Sequence, residues 1–190
     1  MRKLKWISGL LCIAAILGGG VAWHLRRYPA YLHPAERLIV ARWLFQHPGF
    51  RLARPADCGE CGPQIKELRD GNGGPESRIA DFTPYYSRGD FNQDGNMDFA
   101  VAVLDENERE APFSVLIFNG PLQATHSTPA FVSDGLPLWS GGLFFFSGRT
   151  PPGNALIAGP FNSDDTVLFL PDGDTYKPDY GDEDGDQDKA

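Results

Sequence analysis

Apolar residues along this chain fall into three regimes. Met1–Lys5 is basic through Arg2, Lys3 and Lys5, and Trp6–Trp23 follows as 18 residues without a charge. At about 1.5 Å per residue, such a run just suffices to span a bilayer core. From Pro34 to Gln46 the spacing turns helical: Leu38, Ala41 and Phe45 share one face with Leu44, and Ile39 and Trp43 widen the stripe. Pro34 suits a first helical position and Pro48-Gly49 stops the run. This helix is expected either to pack on the domain behind it or to lie on a membrane surface, with Arg37 and Arg42 reaching lipid phosphates. A second, shorter helix is expected from Pro63 to Asp70, closed by Gly71. From Tyr85 onward the apolar runs shorten to strand length between Gly, Pro, Asn and Asp: Phe99–Leu104, Phe113–Phe118, Leu143–Phe146, Ala155–Ala158 and Thr166–Leu170. Their close spacing leaves no room for a regular βαβ series. The pattern therefore predicts a mostly β (α+β) chain, with a small antiparallel sheet or blade-like domain, or a sandwich, behind short helices. Leu136-Pro137-Leu138-Trp139 is expected to anchor a loop to the core. Phe50–Ala56, interrupted by Arg and Pro, does not read as a buried strand.

The chain divides into four segments: 1–27 as anchor or signal segment, 28–80 as a juxtamembrane helical region, 81–178 as the β domain, and 179–190 as a disordered acidic tail. Charge sharpens the division. Residues 1–69 hold 11 Lys+Arg and 4 Asp+Glu, whereas residues 70–190 hold 6 and 21. The acidic half and the overall charge of -8 argue against a nucleic-acid partner, which needs clustered Lys and Arg. Leu10 and Leu11 before Cys12 exclude lipid attachment there, which wants a small residue. Cleavage after Gly20-Val21-Ala22 fits the small-residue rule, but Trp23, His24, Arg26 and Arg27 come next, which favours an uncleaved anchor. Trp6, Trp23, Tyr28 and Tyr31 flank the run as amphipathic aromatics do at headgroup level. Basic residues on its two sides are nearly balanced. Orientation therefore rests on the character of residues 28–190, whose cysteine pair and Asp/Asn-rich loop suit an oxidising, calcium-rich compartment: periplasmic or cell-surface, or secreted if the segment is cleaved.

Cys58-Gly59-Glu60-Cys61 is a C-x-x-C leading into the second helix. Gly62 stands where a haem-attachment motif needs His, and no second Cys or His pair stands nearby for zinc. A local disulfide between Cys58 and Cys61 is the expected state. The rival is a thiol oxidoreductase with Cys61 at a helix N-terminus.

The most informative segment is Gly89-Asp90-Phe91-Asn92-Gln93-Asp94-Gly95-Asn96-Met97-Asp98-Phe99. Oxygen-bearing side chains stand at positions 1, 3, 5 and 9 and Gly at position 6, a spacing that suits a hard cation such as Ca2+. The carbonyl of Asn96 would fill position 7. Position 12 is Val101 rather than Glu, and a strand comes next instead of a helix, so this is no EF-hand. A solvated Asp/Asn turn without metal is the alternative. The segment from Arg88 to Leu104, extending loosely to Gly120, resembles the FG-GAP or VCBS repeat family, the extracellular β-propeller repeats that include integrin α-subunit blades. That resemblance implies calcium bound between two strands by Asp90, Asn92, Asp94, Asn96 through its carbonyl, and Asp98. Gly159-Pro160-Phe161-Asn162-Ser163-Asp164 echoes the motif as a worn copy without metal. One or two blades cannot close a propeller of four to eight.

Arg88-Gly89-Asp90 also spells the integrin-binding tripeptide, which at three residues recurs by chance. No nucleophile elbow, phosphate loop or H-E-x-x-H appears, and His126 lacks an identifiable partner in sequence. These residues point to a non-enzymatic role: a membrane-tethered, calcium-stabilised binding or structural module outside the cytoplasm, with a protein or glycan ligand. The alternative is an envelope thiol-disulfide oxidoreductase using Cys58 and Cys61.

Overall fold

A computed structural model describes residues 28–58, 61–71, 80, 82–107, 113–123, 128–133, 144–147, 156–160 and 166–181; the side chains at 58, 144–147 and 160 are outside this set. Several sequence expectations therefore fall outside the described residues: the N-terminal anchor with Cys12, His126, Leu136–Trp139, Phe161–Asp164 of the second motif, and the acidic tail beyond Gly181, whose expected first residue, Asp179, instead ends a strand. Among the described residues, no helix is long and apolar enough to cross a membrane.

Among the described residues the chain is mostly β, with two antiparallel sheets and two helices. Helix α1 (Pro34–Gln46) comes first, then strand β1 (Phe50–Leu52), a 3-10 turn (Pro55–Cys58) and helix α2 (Gly62–Asp70). Strands β2 (Tyr86–Gly89), β3 (Asp98–Asp105), β4 (Ser114–Phe118) and β5 (Phe131–Val132) complete the first sheet with β1. The second sheet is a meander of β6 (Phe144–Ser147), β7 (Leu156–Pro160), β8 (Val167–Asp172) and β9 (Thr175–Asp179).

β3 organises the first sheet. One edge pairs with β4, bringing Phe99 opposite Phe118 and Val101 opposite Leu116, while the other pairs with β2 and then β1, end to end. Alternation along a strand sends neighbours to opposite faces. Phe99, Val101 and Val103 join Leu116 and Phe118 in a cluster beneath Ile39, Val40 and Trp43 of α1. Ala100 and Ala102 join Val115 and Ile117 in the other cluster, against Leu156, Ala158, Val167 and Phe169 of the second sheet. Three layers result: α1, the first sheet and the second sheet. Burial on both faces is why β3 reads as an unbroken apolar run instead of an alternating one. The cross-strand rings of Phe99 and Phe118 stack with centroids 4.7 Å apart, a pair worth about 1 kcal/mol beyond its buried area.

β1 differs from the sequence expectation. Phe50 and Leu52 face the α1 cluster, and Arg51 turns the other way to Asp57 and Glu106. A charged residue inside a short edge strand is tolerated because its side chain leaves the core.

α1 is held down by a buried acid. Glu36 is 0% exposed; its Oε2 accepts from the His33 amide at 2.7 Å and the Tyr86 hydroxyl at 3.0 Å, while Oε1 lies 3.3 Å from Arg88 Nε. These partners tie the start of α1 to β2. They also occupy the arginine of the Arg88-Gly89-Asp90 tripeptide.

Candidate metal centre

The loop from Asp90 to Met97 connects β2 to β3, whose antiparallel register sets Gly89 opposite Asp98. Local chemistry shapes the connection. Gln93 and Gly95 take positive φ values of 61° and 86°; Gly carries no Cβ penalty there. The loop then curls over its own side chains. Asp90 Oδ1 and Asn92 Oδ1 both accept from the Asp94 amide, at 3.0 and 3.1 Å, and Asp90 Oδ2 accepts from the Gly95 amide at 3.0 Å. Asp94 Oδ1 accepts from the Asn96 amide at 2.7 Å, and Asp94 Oδ2 from Asn92 Nδ2 at 3.1 Å. Side-chain oxygens of Asp90, Asn92 and Asp94 are thus drawn toward one short stretch of backbone.

Asp98 has a different environment. It is 0% exposed. Its Oδ2 accepts from the Phe91 amide at 2.8 Å, the Asn92 amide at 3.3 Å and the Tyr176 hydroxyl at 3.3 Å, and its Oδ1 from the Gly120 amide at 2.8 Å. Three elements meet on one carboxylate: the loop, the turn after β4, and β9. Burial raises its pKa above the ordinary carboxylate value; the amides of Gly120, Phe91 and Asn92 oppose that, and the charge of Asp94 adds to it. Asp94 is shifted the other way, lowered first of all by the Asn96 amide. Burial, then the charge of Asp98, raises the Tyr176 phenol. The repeat-like pattern runs loosely to Gly120 without assigning it a contact with Asp98, and sequence spacing carries no sign of Asn119 or Tyr176. At Gly120 a Cβ would come within 2.7 Å of Asn96 Cβ and 2.8 Å of the Met97 carbonyl, so glycine alone lets the turn after β4 reach the loop.

The donor chemistry suits a hard cation in kind, since all five expected ligands carry oxygens and Asp98 Oδ1, with one donor, keeps a lone pair. Among the described residues, however, no three acidic, histidine or cysteine side chains gather on one point at metal-holding distance. Asp90 and Asp94 stand in the loop; Asp98 lies beneath it. Beside the loop opens a cleft of about 340 Å³, lined by Asn92, Asp94, Asn119, Gln123, Thr128 and Asp174 among others.

Cys61 is fully buried and disulfide-bonded. The expected partner, Cys58, has its side chain outside the described set. Cys61 packs in the cluster that holds Ile65 of α2 and the inner faces of both sheets.

No family model, no curated protein and no solved structure matches this chain.

Proposed function

We propose that this protein is a membrane-tethered, extracytoplasmic binding or structural module that calcium stabilises, related in its loop to the FG-GAP or VCBS repeats and acting by binding instead of catalysis. The observation that carries this reading is a loop in which Asp90, Asn92 and Asp94 turn their side-chain oxygens onto the amides of Asp94, Gly95 and Asn96, close in sequence to the buried Asp98. Those residues, with the Asn96 carbonyl, would hold the ion. Calcium would supply positive charge to a loop that otherwise sets Asp90 and Asp94 over a buried carboxylate. The neighbouring cleft sets the polar groups of Asn92, Asp94, Gln123 and Asp174 beside apolar Phe118 and Leu122, a mixed lining that would suit a glycan or a protein segment with polar and apolar faces. Asp94 borders it, so an ion in the loop would sit at its wall.

Two features support the setting. The basic start and uncharged run of the chain suit a tether, and the burial of a disulfide-bonded Cys61 fits an oxidising compartment.

Titration calorimetry of the full chain in detergent tests the reading. Calcium is expected to bind one site with a dissociation constant of about 10⁻⁴ M, since the loop lacks the bidentate Glu of tighter sites. Asp94→Ala should abolish the heat. No heat in the unaltered chain, or full heat in Asp94→Ala, overturns the assignment.

A further inference from the structure

α1 carries apolar residues on two opposite faces. Glu36, Ile39, Val40 and Trp43 face the sheet and are buried. At 100° per residue, Pro34, Leu38, Ala41 and Phe45 fall together on the far side of the helix, centred opposite the buried stripe. Leu38 is 40% exposed and Phe45 87% exposed. A surface helix ordinarily turns polar residues outward, and an outward apolar stripe marks a surface made to be covered.

We propose that this outer face of α1 docks on the surface of an anionic lipid bilayer, an inference that rests on the tether proposed above. Chain connectivity supplies the occupant. Four residues, His24 to Arg27, separate the uncharged run from Tyr28, and they span at most about 14 Å when extended. Tyr28, Tyr31 and Leu32 pack in the same cluster as α1, so the attachment point lies on α1's side of the first sheet. If the run crosses a bilayer, that layer of the molecule lies against its surface.

Charge points the same way. Between residues 28 and 54 the charged side chains are Arg37, Arg42, Arg54, the fully buried Glu36, and Arg51, which turns away from the α1 cluster to pair with Asp57 and Glu106. Every exposed charge in that stretch is therefore positive. On the second sheet, Asp172, Asp174 and Asp179 are exposed and Lys177 is the one basic residue among the described positions. The described charges of the α1 segment are thus mainly basic and those of the second sheet mainly acidic. An anionic headgroup layer attracts Arg42 and Arg54 while Leu38 and Phe45 enter the acyl boundary.

The test places p-benzoylphenylalanine at Phe45 of the full chain, reconstituted in vesicles of phosphatidylcholine and phosphatidylglycerol. The same probe at Tyr180, which is exposed just after β9 of the second sheet, is the reference. After flotation and illumination, mass spectrometry reads what the probe has joined. A phospholipid adduct at Phe45, at least about tenfold above that at Tyr180, is expected. A cross-linked dimer would assign the face to a second copy and overturn the proposal, as would an adduct to another segment of the same chain, or equal labelling at both positions. Failure of the chain to float with the vesicles would overturn the tether and this surface together; flotation without the lipid adduct would overturn this surface alone.

Discussion

The Tyr176 hydroxyl lies 3.3 Å from Asp98 Oδ2 and 2.8 Å from Asn119 Oδ1, linking the last strand of the second sheet to the first residue of β3. The hydroxyl's single proton serves the two acceptors. Tyr176 is the one fully buried side chain of β9, so this contact is a polar clasp at the end of an otherwise apolar layer.

Tyr176→Phe keeps the ring and removes the clasp. Asn119 then loses its hydroxyl donor and Asp98 its fourth. A loss of about 1–2 kcal/mol in urea denaturation is expected. Unchanged stability would show that the two sheets are held by their apolar core alone.

Glu36 does the corresponding work on the other face. Glu36→Ala strips partners from the His33 amide, the Tyr86 hydroxyl and Arg88, and is expected to cost about 2–4 kcal/mol. Glu36→Gln retains an acceptor and gives up the ion pair, which is half exposed at Arg88, so its cost should be smaller. Equal losses for the two variants would mean that charge, and not hydrogen bonding, holds α1 to β2.

How much of this is legible in the sequence depends on what surrounds each element. α1 is legible with its observed bounds, because Pro34 and Pro48-Gly49 are local punctuation. β3 and β4 are legible because they are buried on both faces. β1 escapes the pattern because Arg51 interrupts it, and an edge strand needs only one apolar face. β9 escapes it because Lys177 and Pro178 dilute its apolar positions; the Asp172-Gly173-Asp174 turn preceding it is the available hairpin cue. The loop spacing shows which side chains alternate along the turn, and these are the ones that cap its amides. What Asp98 does stays hidden, because its partners Gly120 and Tyr176 lie 22 and 78 residues further along the chain.

Asp57 should govern part of the acid sensitivity. Burial pushes its carboxyl up, but Arg51 grips both oxygens at 2.7 and 2.8 Å and the Arg54 amide adds a bond at 2.6 Å, leaving it below the ordinary 3.8. The unfolded chain then binds the more protons, so the contribution is complete above pH 3.8 and is lost as pH falls through the lower folded value. Asp57→Asn should be less stable than the parent at neutral pH. The gap should stay constant down to about pH 5 and close below 3.8. A gap independent of pH would remove the Arg51 pairing as its source.

For the cysteines, trapping with an alkylating reagent before unfolding should leave Cys58 and Cys61 unlabelled, and label at Cys61 would reject the disulfide. Closing so short a loop contributes little, on the order of 1–2 kcal/mol at most. Burial changes the arithmetic for substitutions. In a Cys58→Ser background, Cys61→Ser places a hydroxyl in the shared core and should cost about 1–3 kcal/mol more than Cys61→Ala.

Calcium should raise the melting temperature of the full chain in detergent, and the size of the effect comes from mass action. At a dissociation constant of about 10⁻⁴ M, calcium at about 10⁻³ M stabilises the fold by roughly 1.4 kcal/mol. Magnesium, smaller and reluctant to shed water, should do less. The response should vanish in Asp94→Ala, whose side chain reaches the Asn96 amide and the Asn92 side chain and nothing in the core. Asp98→Asn separates the two roles of the buried acid: it should destabilise the protein even without calcium, because an amide oxygen replaces two carboxylate oxygens facing the amides of Phe91, Asn92 and Gly120. Hydrogen exchange then locates the effect, since calcium should slow the amides of Asp94, Gly95 and Asn96 before those of β3. A calcium response that survives Asp94→Ala would move the ion away from this loop.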